Sequence, residues 1–136
     1  MPFVRISASE THTDEVLTAC CDAVFAAIVD ELDRPGHARY LELDTFDPAQ
    51  MALHSRFIGI ANQPSQVFVH VHLNHPCTVP QRRRFSAAVG KNLRTMAGVR
   101  DRDYLLLIHE RGAPAWTFGD GTAHHMAHPR YAASAR

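Results

Sequence analysis

A chain of 136 residues has room for one compact core and too little for two ordinary ones. Apolar residues make up 46% and charged residues 21%, the balance of a folded domain, which excludes a disordered or fibrous chain. Fourteen Lys+Arg against 14 Asp+Glu leave a formal net charge of zero, so no whole-chain basic field exists to hold nucleic acid or anionic lipid; the 10 histidines are the unusual count.

Residues 2–8 alternate Phe3, Arg5 and Ser7 with Val4, Ile6 and Ala8, the period of a strand that begins at residue 2. Thr11 or Thr13 then offers an N-cap, with Asp14 and Glu15 in the first turn. Leu17, Cys20, Cys21, Val24, Ile28 and Leu32 follow at helical spacing, and Arg34-Pro35-Gly36 stops the helix. A second strand runs from Tyr40 to Phe46, with Leu41 and Leu43 on one face.

Residues 47–65 hold Pro48, Gly59, Pro64 and an apolar FIGIA island, which predicts a long connection with one short strand. Residues 66–73 place Val67, Val69, Val71 and Leu73 on one face and Phe68, His70 and His72 on the other. Pro80 opens a second helix whose buried stripe is Phe85, Ala88, Val89, Leu93 and Met96, and Gly98 ends it. The unbroken apolar run Tyr104 to Ile108 predicts a buried strand, and a Gly-, Pro-, His- and Ala-rich tail follows from Arg111.

The order yields two βαβ halves, about residues 2–46 and 66–110, and a tail over 111–136, all in one domain spanning 1–136. The expected fold class is α/β of the α+β kind, a four-stranded mixed sheet with two helices on one face. The other face, with Phe68, His70 and His72, has no helix left to cover it, so the chain should form a homo-oligomer. Residues 1–68 hold ten acids and four bases, and residues 69–136 four acids and ten bases, so the halves carry −6 and +6. Consecutive Arg82, Arg83 and Arg84 splay around a helix and do not converge on one ligand.

Three cysteines, two of them neighbours in an apolar helical pattern, point to a reducing compartment. Without the pattern of a signal peptide or an apolar span, the expectation is a cytoplasmic protein with neither membrane nor nucleic-acid partners.

Pro2 is the first chemical candidate. Removal of Met1 would leave a secondary amine on a rigid ring at the head of a strand, able to act as a general base once burial and nearby cations bring its pKa towards neutrality. The opening MPFVRIS, the βαβ duplication, the Arg39-Tyr40 pair, the segment VFVHVHLNHPCT and the late AWTFGDG together resemble the tautomerase superfamily, in particular its malonate semialdehyde decarboxylase branch. The resemblance extends to about residue 121. It implies a trimer, an active site near a subunit boundary, and activities that include keto–enol tautomerisation, decarboxylation and hydration or dehalogenation of acrylates.

Carried over by residue, the resemblance makes Pro2 the catalytic proline and Trp116 and Phe118 the apolar pocket wall, with Arg39 and Tyr40 among the substrate-binding residues. Ala38 stands where the decarboxylases carry Asp, and His75 and Cys77 flank Pro76 where they carry two arginines. Two guanidinium groups would grip a carboxylate and depress the amine pKa, whereas neutral His75 and Cys77 do neither. A protonated His75 does both in part, so His75 joins Pro2 as a catalytic candidate and Cys77 joins the substrate-binding set. Arg39, Arg56 and Arg82 remain as alternative anchors for the substrate carboxylate.

These residues suit a proline-dependent tautomerase or isomerase acting on a small 2-oxo acid or enol, without a cofactor and without a metal. The alternatives are a malonate-semialdehyde-type decarboxylase or hydratase with altered polar residues, and a non-catalytic trimer that binds a small ligand or a metal. For the last, His70 and His72 share a strand face and His75 and Cys77 follow, all zinc or copper ligand types, while His124, His125 and His128 form a second cluster in the tail. A Cys77 nucleophile paired with His75 is the remaining alternative; the intervening proline makes their direct contact awkward.

Overall fold

The computed structural model describes residues 2–34, 39–50, 65–112, 115–117, 119 and 121, and the backbone of 56–57 and 60–61. Strand β1 (Pro2–Ser9) leads into helix α1 (Asp14–Leu32), then β2 (Tyr40–Phe46) and a single 3-10 turn at Pro48–Gln50. Two-residue strands β3 (Arg56–Phe57) and β4 (Ile60–Ala61) pair antiparallel, so the FIGIA island holds two short strands where the sequence suggests one. Strand β5 (Val67–Leu73), helix α2 (Val79–Ala97) and strand β6 (Tyr104–Glu110) complete the second half.

The main sheet has the order β2-β1-β5-β6. Each half contributes a parallel pair, β1 with β2 and β5 with β6, and the halves join through antiparallel β1 and β5. The expected mixed sheet is therefore present, with the duplicated strands β1 and β5 at its centre.

Local chemistry sets the helix ends. The Thr13 side chain accepts the Val16 backbone N–H at 3.3 Å, with Asp14 and Glu15 in the first turn, and α1 stops where Asp33 turns left-handed at φ 49°. Thr78 and Gln81 form a reciprocal capping box at the start of α2, with Pro80 in its first turn and Gly98 at φ 68° as its C-cap.

One sheet face and the two helices form the core. Val4, Ile6 and Ala8 of β1 and Val67, Val69 and Val71 of β5 are fully buried with Leu17, Val24 and Ile28 of α1 and Phe85, Val89 and Leu93 of α2. The α2 stripe departs from expectation at its end: Met96 is 47% exposed and Ala97 packs on the core instead. The buried row steps by four through Phe85, Val89, Leu93 and Ala97, so the three-residue step to Met96 turns that side chain outward.

The run from Tyr104 to Ile108 is also not a buried strand. It is the sheet edge: Leu106 and Ile108 pack on the core, while Leu105 and Leu107 are 43% and 37% exposed. Both helices lie on one face, so an unbroken apolar run here serves two environments. The helix-free face carries Phe3 and Arg5, Phe68, His70 and His72, and Leu105, Leu107 and His109 in register. No helix among the described residues is long and apolar enough to cross a membrane.

Candidate active site

Pro2 heads an inner strand and is fully buried. Proline is tolerated at the first residue of a strand because its missing N–H costs no ladder bond there. The register places Pro2 opposite Leu73 and Leu73 opposite Glu110, one row across three strands. On the other side Phe3 pairs with Tyr40, so Arg39 stands one step ahead of Tyr40 as Pro2 stands one step ahead of Phe3.

Arg39 is held loosely. Its Nη2 donates to Asp22 Oδ1 at 2.8 Å with both side chains about half exposed, and its guanidinium lies 4.5 Å above the Phe25 ring. An exposed pair of this kind stabilises little and exchanges readily for another carboxylate. Tyr40, beside it, is 47% exposed on the edge strand.

Arg82 is committed. Its Nη2 donates to both Glu110 carboxylate oxygens at 2.9 Å, and Glu110 Oε1 also accepts the Cys77 backbone N–H at 3.0 Å. The Arg82 bond and then the Cys77 N–H hold the Glu110 carboxyl below the usual carboxylate range. Of the alternative anchors, Arg82 is thereby occupied, Arg39 is exchangeable, and the Arg56 side chain lies outside the described residues.

Cys77 sits beside this carboxylate. Burial and then the Glu110 charge push its thiol up, against opposing influences from Arg34 and Arg82, so it rests as a thiol and not as the thiolate a nucleophile needs. His75 and Trp116 are half-buried, His75 in the bend that follows β5. Ala38, Phe118 and the tail histidines His124, His125 and His128 lie outside the described residues.

Sequence reading misses three groups. Arg34 acts electrostatically on Cys77, and Glu110 organises Cys77 and Arg82; a carboxylate two residues beyond Ile108 on the covered face was the available signal for Glu110. His109 is the third, brought opposite His72 by the β5–β6 register, with the His70 Nδ1 to His109 Nε2 distance 3.1 Å.

A family model described as "Tautomerase enzyme" matches residues 38–119. Over 93% of its length the chain superposes on 99% of the FG41 malonate semialdehyde decarboxylase inhibited by 3-bromopropiolate, with 29% identity and a TM-score of 0.82. A second malonate semialdehyde decarboxylase, solved in wild-type, mutant and inactivated forms, matches with 22% identity and a TM-score of 0.81, covering 91% of this chain and 95% of its own. A fused 4-OT, a wild-type symmetric trimer, shares the fold at 17% identity and a TM-score of 0.73 over 93% of this chain and 99% of its own. No curated protein matches the chain by sequence.

Proposed function

The chain belongs to the family of tautomerase enzymes, and we propose that it interconverts the enol and keto forms of a small 2-oxo acid with Pro2 as the proton shuttle. The observation that carries this reading is the placement of Pro2: buried at the head of an inner strand, with Arg39 on one side and the Glu110–Arg82 pair two strands away on the other.

With Met1 removed, the Pro2 nitrogen is a secondary amine in a water-poor setting. Burial disfavours its protonated form, which brings a basic amine down towards a working pKa. Arg39 releases Asp22 and takes the substrate carboxylate. The Pro2 nitrogen accepts the enol hydroxyl proton, and the resulting prolinium returns that proton to carbon as the carbonyl forms. Every atom of the substrate is conserved, and no co-reactant is consumed. Trp116 and Phe118 supply the apolar wall, and His75 can polarise the carbonyl oxygen.

Three copies with their helix-free sheet faces turned inward would cover Leu105 and Leu107 and make the assembly a homotrimer. A second reading, decarboxylation or hydration of a malonate-semialdehyde-type substrate, is favoured by the 29% identity to a decarboxylase over 93% of the chain. Ala38, His75 and Cys77 weigh against it, because they replace the charged groups that would hold and activate the departing carboxylate.

Intact mass and enol–keto conversion of an aryl 2-oxo acid, followed by ultraviolet absorbance, test the proposal. The expected result is a mass lacking Met1, a fall of roughly 100-fold or more in kcat/KM for Pro2→Ala, and a rise in KM for Arg39→Ala. A retained Met1, or equal rates for wild type and Pro2→Ala, overturns it. Carbon dioxide release from malonate semialdehyde without enol–keto conversion supports the second reading, and loss of both activities leaves a non-catalytic binding trimer.

A further inference from the structure

The helix-free face of the sheet carries a cluster that the Pro2 chemistry does not use. His70, His72 and His109 each offer a ring nitrogen, and these atoms lie within 4.8 Å of one another. The period of two along β5 puts His70 and His72 on one face, and the parallel register sets His109 beside His72. The three rings stand nearly parallel, with 5.3 Å between the His70 and His109 centroids and 4.4 Å between those of His72 and His109.

We propose that His70, His72 and His109 form a binding site for one divalent transition-metal ion per chain, with zinc the best match. Zinc–imidazole bonds of about 2.0–2.1 Å at tetrahedral angles put ligand nitrogens roughly 3.3 Å apart. The 3.1 Å between His70 Nδ1 and His109 Nε2 is close to that spacing, and the nitrogen of the third ring, within 4.8 Å of both, has to move closer for the site to close. A donor set of imidazoles selects zinc, copper or nickel over magnesium or calcium, which require oxygen.

The surroundings suit a cation held by imidazole nitrogens: His70 Nδ1 and His109 Nε2 face one another at 3.1 Å, and the His72 ring lies 4.4 Å from that of His109. Whichever of the two nitrogens carries hydrogen in this contact, the other tautomer of that ring frees the nitrogen as a ligand. Arg5, on the same face, is neutralised by Asp44 and Glu42. Phe3, 5.6 Å from the His72 ring, gives the site an apolar flank. Three protein ligands leave a fourth position for water.

The sequence offers His70 and His72 with His75 and Cys77, and a tail cluster, as metal-ligand types without a complete set at fixed spacing, and its first reading has no metal. The long-range pairing to His109 completes the set. The site lies on the sheet face opposite Leu73 and the Pro2 row, so it stands independently of the proline mechanism.

The test uses the full-length assembled protein, stripped with a chelator and titrated with zinc by calorimetry and with cobalt by visible absorbance. The expected result is one zinc per chain and a cobalt band of four-coordinate intensity. His70→Ala and His109→Ala should each weaken zinc by more than the roughly 10- to 100-fold that loss of an outer-shell partner costs. The tail variant His124→Ala/His125→Ala/His128→Ala should bind as wild type does, and so should Pro2→Ala. Zinc binding that persists in both cluster variants, or that disappears in the tail variant, overturns the assignment. If a cluster variant fails to assemble, the wild-type cobalt spectrum decides, since a wild type without that band has no such site.

Discussion

Leu105→Asp tests the proposed assembly where it is most exposed to failure. Leu105 lies on the helix-free face of the edge strand, opposite Phe68, and is 43% exposed in the single chain. Full burial of a leucine stabilises by about 1.5–3 kcal/mol, so covering the remaining 43% contributes about 1 kcal/mol per copy, or about 3 kcal/mol over three copies. An aspartate forfeits that gain and brings an unpaired carboxylate into the interface, at a cost of at least about 2 kcal/mol per copy. The sum, about 9 kcal/mol, corresponds to roughly six orders of magnitude in the assembly constant.

Sedimentation velocity at micromolar concentration should therefore show a trimer for wild type and a monomer for Leu105→Asp. Circular dichroism should show both folded, because Leu105 does not belong to the buried core. Val79→Asp, also on an exposed residue but at the first turn of α2, should leave the oligomer intact. An unchanged sedimentation coefficient for Leu105→Asp refutes the use of this face as the interface.

Phe85, fully buried between α2 and the sheet, should cost about 3–5 kcal/mol on truncation to alanine, read by urea unfolding. Burial pushes the Cys20 thiol up to about 11 from 9.0, so the unfolded chain ionises first as pH rises. The stability this contributes is complete below pH 9 and falls by roughly 2 kcal/mol by pH 11, a loss that Cys20→Ala should abolish when unfolding is followed across that range. In the native protein a thiol reagent should reach half-buried Cys77 before Cys20 and Cys21, and labelling of all three at one rate would refute the burial argument. Gly90 is buried in α2, where an added Cβ would meet the Tyr104 hydroxyl at 2.5 Å and its Cζ at 3.4 Å. Gly90→Ala should destabilise the wild type yet stabilise Tyr104→Phe by up to about 1 kcal/mol, the helix gain of alanine over glycine, as measured by a double-mutant cycle of thermal or urea unfolding.

The strands and helices are legible because their signals are local. Val67, Val69, Val71 and Leu73 alternate with Phe68, His70 and His72 without interruption, and Thr13, Thr78 and Gly98 end their helices by chemistry confined to one turn. The face taken by Leu105 and Leu107 is not legible, because a continuous apolar run has no period and only the placement of the helices decides which side is covered. The candidate sites divide in the same way. Pro2 is read from its position at the head of a strand. Glu110 meets Cys77 and Arg82 from 33 and 28 residues away, and His109 meets His70 from 39, so strand register makes those neighbours and local spacing cannot reveal them.

The opposite charges of the two halves acquire a physical role once the ion pairs are placed. If the −6 and +6 halves served to hold each other, most pairs would cross between them. Arg5 instead pairs with Asp44, Arg39 with Asp22, Arg82 with Glu110, Arg94 with Asp101 and Arg100 with Asp103, each within its own half. Arg84 with Glu31 is the described pair that crosses. Pairs within a half cancel charges of both signs equally, so the excess of each half survives at the surface. A cyclic trimer is built from a heterologous interface, in which one surface of a copy meets a different surface of the next. Unlike charges on the two halves favour that head-to-tail contact and oppose a two-fold one, in which each half would face its own sign. The same arrangement would turn the helix-free faces, with their histidines and exposed leucines, towards one axis.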